Sequence, residues 1–267
     1  MNPETLIRLS LFVGMLVLMA FWERLAPRRK RIFSRWKRWP ANLGIVVLNT
    51  LLVRLLIPIT AIGLTSVVQA NGWGLFHFLP QSLWITVPLT MIIMDFIIYL
   101  QHILFHAVPL LWRFHRMHHI DLEFDFTTGN RFHPVEIFLS MAIKLSVIAA
   151  LGAPPLGILF FEILLNACAT FNHSNVFIPL RFDAVLRWIV VTPDMHRVHH
   201  SIERDETNSN FGFNLPWWDH LCGTYRAQPR NGHEEMQIGQ QTIHDPAQCL
   251  SLPGMLLTPF TKNTTMS

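Results

Sequence analysis

Residues 89–119 read LTMIIMDFIIYLQHILFHAVPLLWRFHRMHH, an apolar run that leads directly into two sets of histidines. The first set, His102 and His106, has the spacing HxxxH, and the second, at positions 115, 118 and 119, has the spacing HxxHH. Positions i, i+3 and i+4 share one face of an α-helix, because one turn takes about 3.6 residues. The stretch therefore predicts a membrane-spanning helix that carries His102 and His106 to its end, followed by a helix that starts at Pro109.

A third set with the spacing HxxHH lies at positions 196, 199 and 200. It follows Thr192-Pro193-Asp194, which is typical of a helix start: an N-cap residue, a proline at the first position and an acid in the first turn. Imidazoles gathered from three helices indicate a metal site. We predict eight primary ligands: His102, His106, His115, His118, His119, His196, His199 and His200.

Two further histidines, His133 and His173, are secondary candidates, because the predicted topology brings both to the side of the three sets. Eight to ten imidazoles are too many for one ion and suit two. Nitrogen-rich coordination fits iron, copper, nickel or zinc, and spacing alone does not choose among them. The three cysteines form no CxxC motif and so indicate neither a disulfide framework nor a thiolate zinc site. The remaining histidines are expected to be unrelated to the metal: His77, His220, His233 and His244.

The composition indicates a membrane protein, since 51% of the residues are hydrophobic and 14% are charged, against about 25% charged in soluble domains. Apolar segments lie at about residues 6–21, 43–68 with a kink at Pro58, 83–100, 135–151 and 156–169. Gly152-Ala153-Pro154-Pro155 predicts the turn of a membrane hairpin between the last two. We expect an all-α integral membrane protein with about four to five membrane segments and a cytoplasmic helical cap that carries the histidine sets.

Eight lysines and arginines crowd into residues 24–38. A basic run also occurs in nucleic-acid-binding proteins, but this one separates two apolar segments and is typical of a cytoplasmic loop. Counting spans from that loop places all three histidine sets on the cytoplasmic side. Lys144 and Glu162 lie nine residues on either side of Ala153, so we expect them to pair within the hairpin. Asp95 is a candidate partner for Arg54 in the second segment.

The motifs resemble those of the fatty acid hydroxylase and sterol desaturase superfamily of integral-membrane di-iron enzymes. The resemblance covers about residues 95–225 and rests on the three histidine sets, with Asp95 seven residues before His102. It includes an ending similar to the family's "NyG…wDrlfGTy", here Asn210-Phe211-Gly212 and Trp218-Asp219-His220-Leu221-Cys222-Gly223-Thr224-Tyr225. His220 replaces the basic residue usual there, so no ligand role is implied for it. Asp95 and Asn210 are expected to support the ligands. Asp95 either holds a histidine ring N–H or makes a hydrogen bond in helix packing.

The resemblance implies O2-dependent hydroxylation or desaturation of a C–H bond in a membrane lipid, with two iron ions and two external electrons per turnover. The electrons are expected from a separate protein of the cytochrome b5 or ferredoxin type. The chain looks closest to bacterial sterol-desaturase-like and alkylglycerol-monooxygenase-like members, which implies a bacterial inner membrane with the metal site facing the cytoplasm. No nucleic-acid partner is expected, and the oligomeric state stays open.

Two other functions are compatible with the sequence: a membrane protein that binds or transports metal, and a non-catalytic relative with a structural metal centre. We expect three parts in the chain. Residues 1–80 form N-terminal membrane helices with the basic loop, residues 81–226 the di-iron domain, and residues 227–267 a polar tail with a short interfacial segment near 250–260.

Overall fold

The computed structural model describes residues 3–78 and 82–261, and throughout these ranges the regular secondary structure is helical. The protein is an all-α, multi-pass membrane protein, as the sequence predicts. The α-helices are α1 Pro3–Leu25, α2 Arg35–Leu56, α3 Ala61–Asn71, α4 Leu83–Ala107, α5 Pro109–His119, α6 Pro134–Leu151, α7 Pro155–Asn172, α8 Leu180–Leu186, α9 Pro193–His199, α10 Arg204–Thr207, α11 Trp217–Cys222, α12 Gly232–Glu235, α13 Pro246–Leu250 and α14 Leu252–Leu257.

Within the described ranges, five segments are long and apolar enough to cross a membrane. They coincide with the five predicted apolar segments: α1, the pair α2 and α3, α4, α6 and α7. The second segment is interrupted at Pro58, where a kink was predicted. α2 ends at Leu56 and α3 begins at Ala61, so the segment consists of two helices. The Thr60 hydroxyl caps the new helix by accepting a hydrogen bond from the Gly63 N–H at 2.9 Å.

The predicted hairpin turn lies at the end of the bundle that is remote from the histidines. Gly152 ends α6 in the left-handed conformation, with φ of 70°, which glycine adopts without a steric penalty. Gln69 at the end of α3 donates a hydrogen bond to the Gly152 carbonyl at 2.9 Å. Gly74 packs so closely here that an added Cβ would lie 2.1 Å from the Gly152 nitrogen. Residues 69–74 and the hairpin turn therefore share one end of the molecule.

The predicted ion pair within the hairpin is confirmed, with Lys144 Nζ 3.0 Å from Glu162 Oε1. Arg8 from α1 joins it, 2.6 Å from Glu162 Oε2, so the carboxylate that α7 carries among apolar helices has two cationic partners. The predicted pairing of Arg54 with Asp95 is wrong. Arg54 is exposed, while Asp95 accepts hydrogen bonds from residues 214–218.

The basic stretch is only partly the solvated loop that the sequence predicts. Residues 35–38 already belong to α2, and Arg38 is fully buried. Its guanidinium bonds Asp121 at 2.6 and 3.0 Å and Asp125 at 2.5 Å. Burial opposes the ionisation of Asp121, but the nearby Arg131 and Arg38 outweigh it and lower the pKa of Asp121 to about 2. This buried charge network ties the start of α2 to the segment that follows α5.

The C-terminal residues fold back onto the helices around the histidines. Met255 of α14 is fully buried against Ala41, Ile45 and Met117, and Arg131 donates a hydrogen bond to the Cys249 carbonyl at 2.8 Å. The segment predicted to lie at the membrane interface therefore forms part of the protein core, although Leu257 and Phe260 stay exposed. Residues 262–267 of the predicted tail lie outside the described ranges.

Candidate metal centre

Nine histidines form two adjacent groups at one end of the spanning helices. Within each group, the candidate ligand atoms lie within 4.8 Å of one another. Every member is at most 7% exposed. All eight primary candidates belong to these groups, and His173 joins them. The first group contains His102, His106, His115, His119 and His199, and the second contains His118, His173, His196 and His200.

Helix geometry explains how each HxxHH set serves both groups. Successive residues of an α-helix point about 100° apart, so the adjacent His118 and His119 face different groups, while His115 and His119 face the same one. In the third set the two groups exchange places. His196 and His200, the C-cap of α9, belong to the second group, and His199 belongs to the first. The α9 start matches the prediction: the Thr192 hydroxyl accepts a hydrogen bond from the Met195 N–H at 3.3 Å.

The two secondary candidates have different outcomes. His173 directly follows α7, and its Nε2 lies 3.0 Å from the Nε2 atoms of both His118 and His196. His133 lies outside both groups, so the sequence-based assignment of a ligand role is not supported. It is the N-cap of α6, where its Nδ1 accepts a hydrogen bond from the Val135 N–H at 3.1 Å, and its ring packs against Phe114.

Hydrogen bonds fix the orientation of four imidazoles through their Nδ1 atoms. His102 bonds the Phe211 carbonyl at 2.8 Å, and His199 bonds the Ser209 carbonyl at 2.8 Å. His173 bonds the Ala169 carbonyl at 2.8 Å. His115 bonds the Glu136 carboxylate at 2.7 Å. Each acceptor requires an N–H at Nδ1, so the opposite nitrogen, Nε2, keeps its lone pair for a metal ion.

The ring nitrogens that face the centre fit metal ions. In the first group, the buried Nε2 atoms of four histidines have no hydrogen-bond partner among the described residues: His102, His106, His115 and His199. Both ring nitrogens of His119 and of His200 are likewise buried without a described partner. The 3.0 Å separations in the second group match neighbouring nitrogens around one ion at about 2.0–2.1 Å from each.

Burial favours the neutral form of four of these imidazoles, which metal binding requires. It lowers the pKa of His173 and of His199 to about 3, although the backbone carbonyls of Ala169 and Ser209 oppose the shift. The pKa of His118 and of His200 falls well below its usual value, first through burial and then through the neighbouring histidines. Lone pairs on the ring nitrogens of these histidines are therefore available to bind metal ions at neutral pH.

The loop that carries the family-like ending holds the ligands in place. Asn210 adopts the left-handed conformation at φ of 52°, and the carbonyls on either side of it, from Ser209 and Phe211, bind His199 and His102. Its side chain donates to the Met195 carbonyl at 2.9 Å, directly before His196. The buried Asp219 accepts from the Phe211 and Gly212 N–H groups, both at 2.8 Å. Asn210 thus supports the ligands through the backbone.

Asp95 supports the same loop and does not bond a histidine ring within the described residues. Its carboxylate accepts from the Trp218 indole at 2.7 Å and from the Leu215 N–H at 3.2 Å. The expectation that it holds a ring N–H is therefore wrong. Sequence reasoning also missed Glu136, which is 4% exposed and performs that task for His115. Nothing in its spacing signals this, because α6 meets α5 only in the folded chain.

The other histidines lie outside both groups. His244 is exposed, as its predicted surface position requires, and His77 is exposed as well. His233 is buried instead, 4% exposed and 3.6 Å from Asp194, and His220 stacks between Trp188 and Tyr225.

Comparison with known proteins agrees with this centre. The chain is 29% identical over 237 residues to an ornithine lipid hydroxylase, OlsE, from Rhizobium tropici. This alignment covers 85% of this chain and 69% of that protein. It is 30% identical over 156 residues to an alkylglycerol monooxygenase from Xenopus tropicalis, covering 58% and 33%, and 27% identical over 177 residues to a rat cholesterol 25-hydroxylase, covering 59% and 55%. The chain thus spans about a third to just over two thirds of the length of these relatives. No solved structure matches it significantly. The sequence profile of the fatty acid hydroxylase family matches residues 87–224, a range that contains all nine histidines, and the chain belongs to that family.

Proposed function

We propose that this protein hydroxylates a C–H bond of a membrane lipid, using O2 and a pair of iron ions held by the two histidine groups. The observation that carries the proposal is the two-group histidine centre at the end of the membrane helices. The reaction converts R–H, O2, two electrons and two protons into R–OH and water. Two bound irons supply the O2 activation that an unactivated C–H bond requires.

The residues of this chain bind and orient the metals and limit access of water. The nine imidazoles are neutral ligands, four of them oriented through Nδ1 by carbonyls or by Glu136. Aromatic rings border the first group, with Trp112 and Phe211 at 4.8 and 5.1 Å from the His106 ring. The least buried ligands, His102 and His106, belong to α4, whose neighbouring Leu100 and Leu104 are exposed on a membrane-spanning helix. This arrangement favours approach of a lipid chain from the bilayer.

Metal transport fits the geometry less well. A transport path needs ligands distributed across the membrane, whereas all nine histidines lie at one end of the helices. A purely structural centre would not need nine ligands, because about four close the coordination of a structural zinc ion.

The decisive experiment compares His118→Ala with His244→Ala in a host without related activity, grown under 18O2. Wild type and His244→Ala, which alters an exposed histidine outside the centre, are expected to bind two irons and to produce a lipid that carries one 18O atom. His118→Ala is expected to produce none. Iron-loaded wild type without labelled lipid contradicts the proposal, and a lipid that loses two hydrogens without gaining 18O indicates desaturation.

We further propose that the centre faces the cytoplasm and receives electrons from a separate protein. Cys222 is exposed near the histidine end of the molecule, whereas Cys168 and Cys249 are buried. A membrane-impermeant thiol reagent is expected to label Cys222 only after bacterial cells are opened. Labelling of Cys222 in intact spheroplasts would show that the centre faces the periplasm and would contradict the proposed orientation.

A further inference from the structure

An open cavity of about 400 Å³ lies between α8 and the chain around α11, and none of the nine candidate ligands lines it. Its wall includes Asp183 and Arg187 of the α8 region, together with His220 of α11. Asp183 is 2% exposed and Arg187 is 5% exposed. The cavity thus combines a buried ion pair with an opening to the outside. The candidate metal centre requires neither feature.

The ion pair is held firmly by the protein. Asp183 Oδ2 accepts a hydrogen bond from Arg187 Nη2, one turn away on the same helical stretch. Arg187 Nη1 donates to the Ala227 carbonyl at 2.7 Å and to the Tyr225 hydroxyl at 3.2 Å. The two charges therefore have fixed positions in the wall, so that they present a pre-organised dipole to the cavity.

Three buried polar atoms on this wall have no hydrogen-bond partner among the described residues: Asp183 Oδ1, Arg187 Nε and His220 Nε2. A buried polar group without a partner is destabilising. The first atom is an anionic acceptor, Arg187 Nε carries an N–H donor, and His220 Nε2 donates in the tautomer that carries its proton there. Their combined chemistry matches a ligand that carries a positive and a negative group side by side.

The rim of the cavity is apolar and continuous with the lipid-facing surface. Leu180 and Trp188 line the opening, and α8 begins eight residues after α7, a membrane-spanning helix, has ended. Five large apolar side chains along residues 180–189 are more than half exposed: Leu180, Phe182, Val185, Trp188 and Ile189. Such a surface is typical of a segment that lies in the membrane interface.

We propose that this cavity binds the headgroup of a zwitterionic lipid, an ammonium beside a phosphate or a carboxylate. Asp183 faces the ammonium, and Arg187 and His220 face the anion, while the acyl chains pass over Leu180 and Trp188 into the bilayer. A purely anionic headgroup leaves the Asp183 oxygen without a partner, and a water-soluble zwitterion leaves the apolar rim unused. The site does not depend on the proposed oxygenation.

Native mass spectrometry of the full chain in an uncharged detergent tests the proposal. The probes are phosphatidylethanolamine, an ornithine-headed lipid and phosphatidylglycerol, which has no amine. We expect at least one of the two amine lipids to bind about tenfold more tightly than phosphatidylglycerol. The preferred amine lipid identifies the anion as phosphate or carboxylate.

Two variants and a control separate headgroup binding from folding. Ala184→Phe fills the cavity from an exposed position without removing a polar contact, and Arg187→Gln removes the anion partner. Both are expected to lose the preference for the amine lipid and to keep the metal content of wild type. Arg181→Gln alters an exposed arginine that lies over Phe182, outside the cavity lining, and should bind as wild type does. Equal affinity for all three lipids, or unchanged binding in Ala184→Phe, overturns the proposal.

Discussion

Substitution of Glu136 is expected to weaken one metal position and spare the other. Glu136 Oε1 lies 2.7 Å from His115 Nδ1, and His115 belongs only to the first group. Both side chains are buried, at 4% and 2% exposure, and Glu136 Oε2 has no hydrogen-bond partner among the described residues. The carboxylate therefore acts on the centre chiefly through this single bond.

The size of the effect follows from that geometry. A hydrogen bond to a charged group contributes about 1.5–3 kcal/mol, and loss of such a partner to a metal-bound histidine typically lowers metal affinity about 10–100-fold. Glu136→Ala is expected to weaken the first group by this factor. Glu136→Gln keeps an oxygen acceptor without the charge, so its effect should be smaller.

The assay is competition with a graded series of chelators, followed by metal analysis of the purified full chain. Wild type should release its two ions at similar chelator strength, whereas Glu136→Ala should pass through a plateau with one ion per chain. Glu203→Gln, which changes a carboxylate outside both groups, serves as the control. Parallel loss of both ions in Glu136→Ala, or retention equal to wild type, would refute the reasoning.

Four further substitutions separate the candidate metal ligands from residues with structural roles. His133→Ala removes the cap of α6 and the ring contact with Phe114. It should lower stability by at least about 1 kcal/mol with full metal content, whereas His173→Ala should lose one ion. Elemental analysis and thermal unfolding distinguish the two results, and metal loss from His133→Ala would contradict its assignment as a cap. Gly129→Ala places a Cβ 2.3 Å from the Ala169 carbonyl oxygen and 2.9 Å from His173 Nδ1. We therefore expect elemental analysis to find less metal bound by the second group. Metal content equal to wild type would show that the backbone relaxes around the added Cβ. Arg38→Met removes the guanidinium that bonds both Asp121 and Asp125, while Arg131 stays 3.5 Å from Asp121. It should destabilise the fold by about 3 kcal/mol, measured as a fall in the thermal midpoint against Lys37→Met, which alters an exposed neighbour. Equal midpoints would show that the network is not stabilising.

Local sequence signals predicted the membrane helices, the starts of α5 and α9, and the histidine sets that these helices carry. Apolar length marked the five membrane segments, the Thr192-Pro193 pair marked the start of α9, and histidine spacing identified eight of the nine grouped residues. These signals work because helix periodicity and capping depend on neighbours in the chain. The pairing of Lys144 with Glu162 followed from symmetry about the hairpin turn.

Features that depend on tertiary contact were predicted less well. A basic run suggests solvent exposure, and only the return of residues 121–125 to the start of α2 buries Arg38. Asp95 has a helical spacing from His102 that suits a histidine partner. In the folded chain, however, its carboxylate accepts hydrogen bonds from Trp218 and Leu215. His133 and His173 both lie near helix ends, and their different roles depend on which neighbours the fold brings to them.

The composition of the two groups has a consequence for biosynthesis. Each group includes at least one histidine from α9, so neither can be completed while the ribosome is still translating α1 to α7. The membrane helices α1 to α7 are therefore translated before either group is complete, so the complete groups form late in maturation. A chain that is interrupted before residue 196 carries four histidines of the first group but only two of the second, so the second group depends more on the late-translated α9.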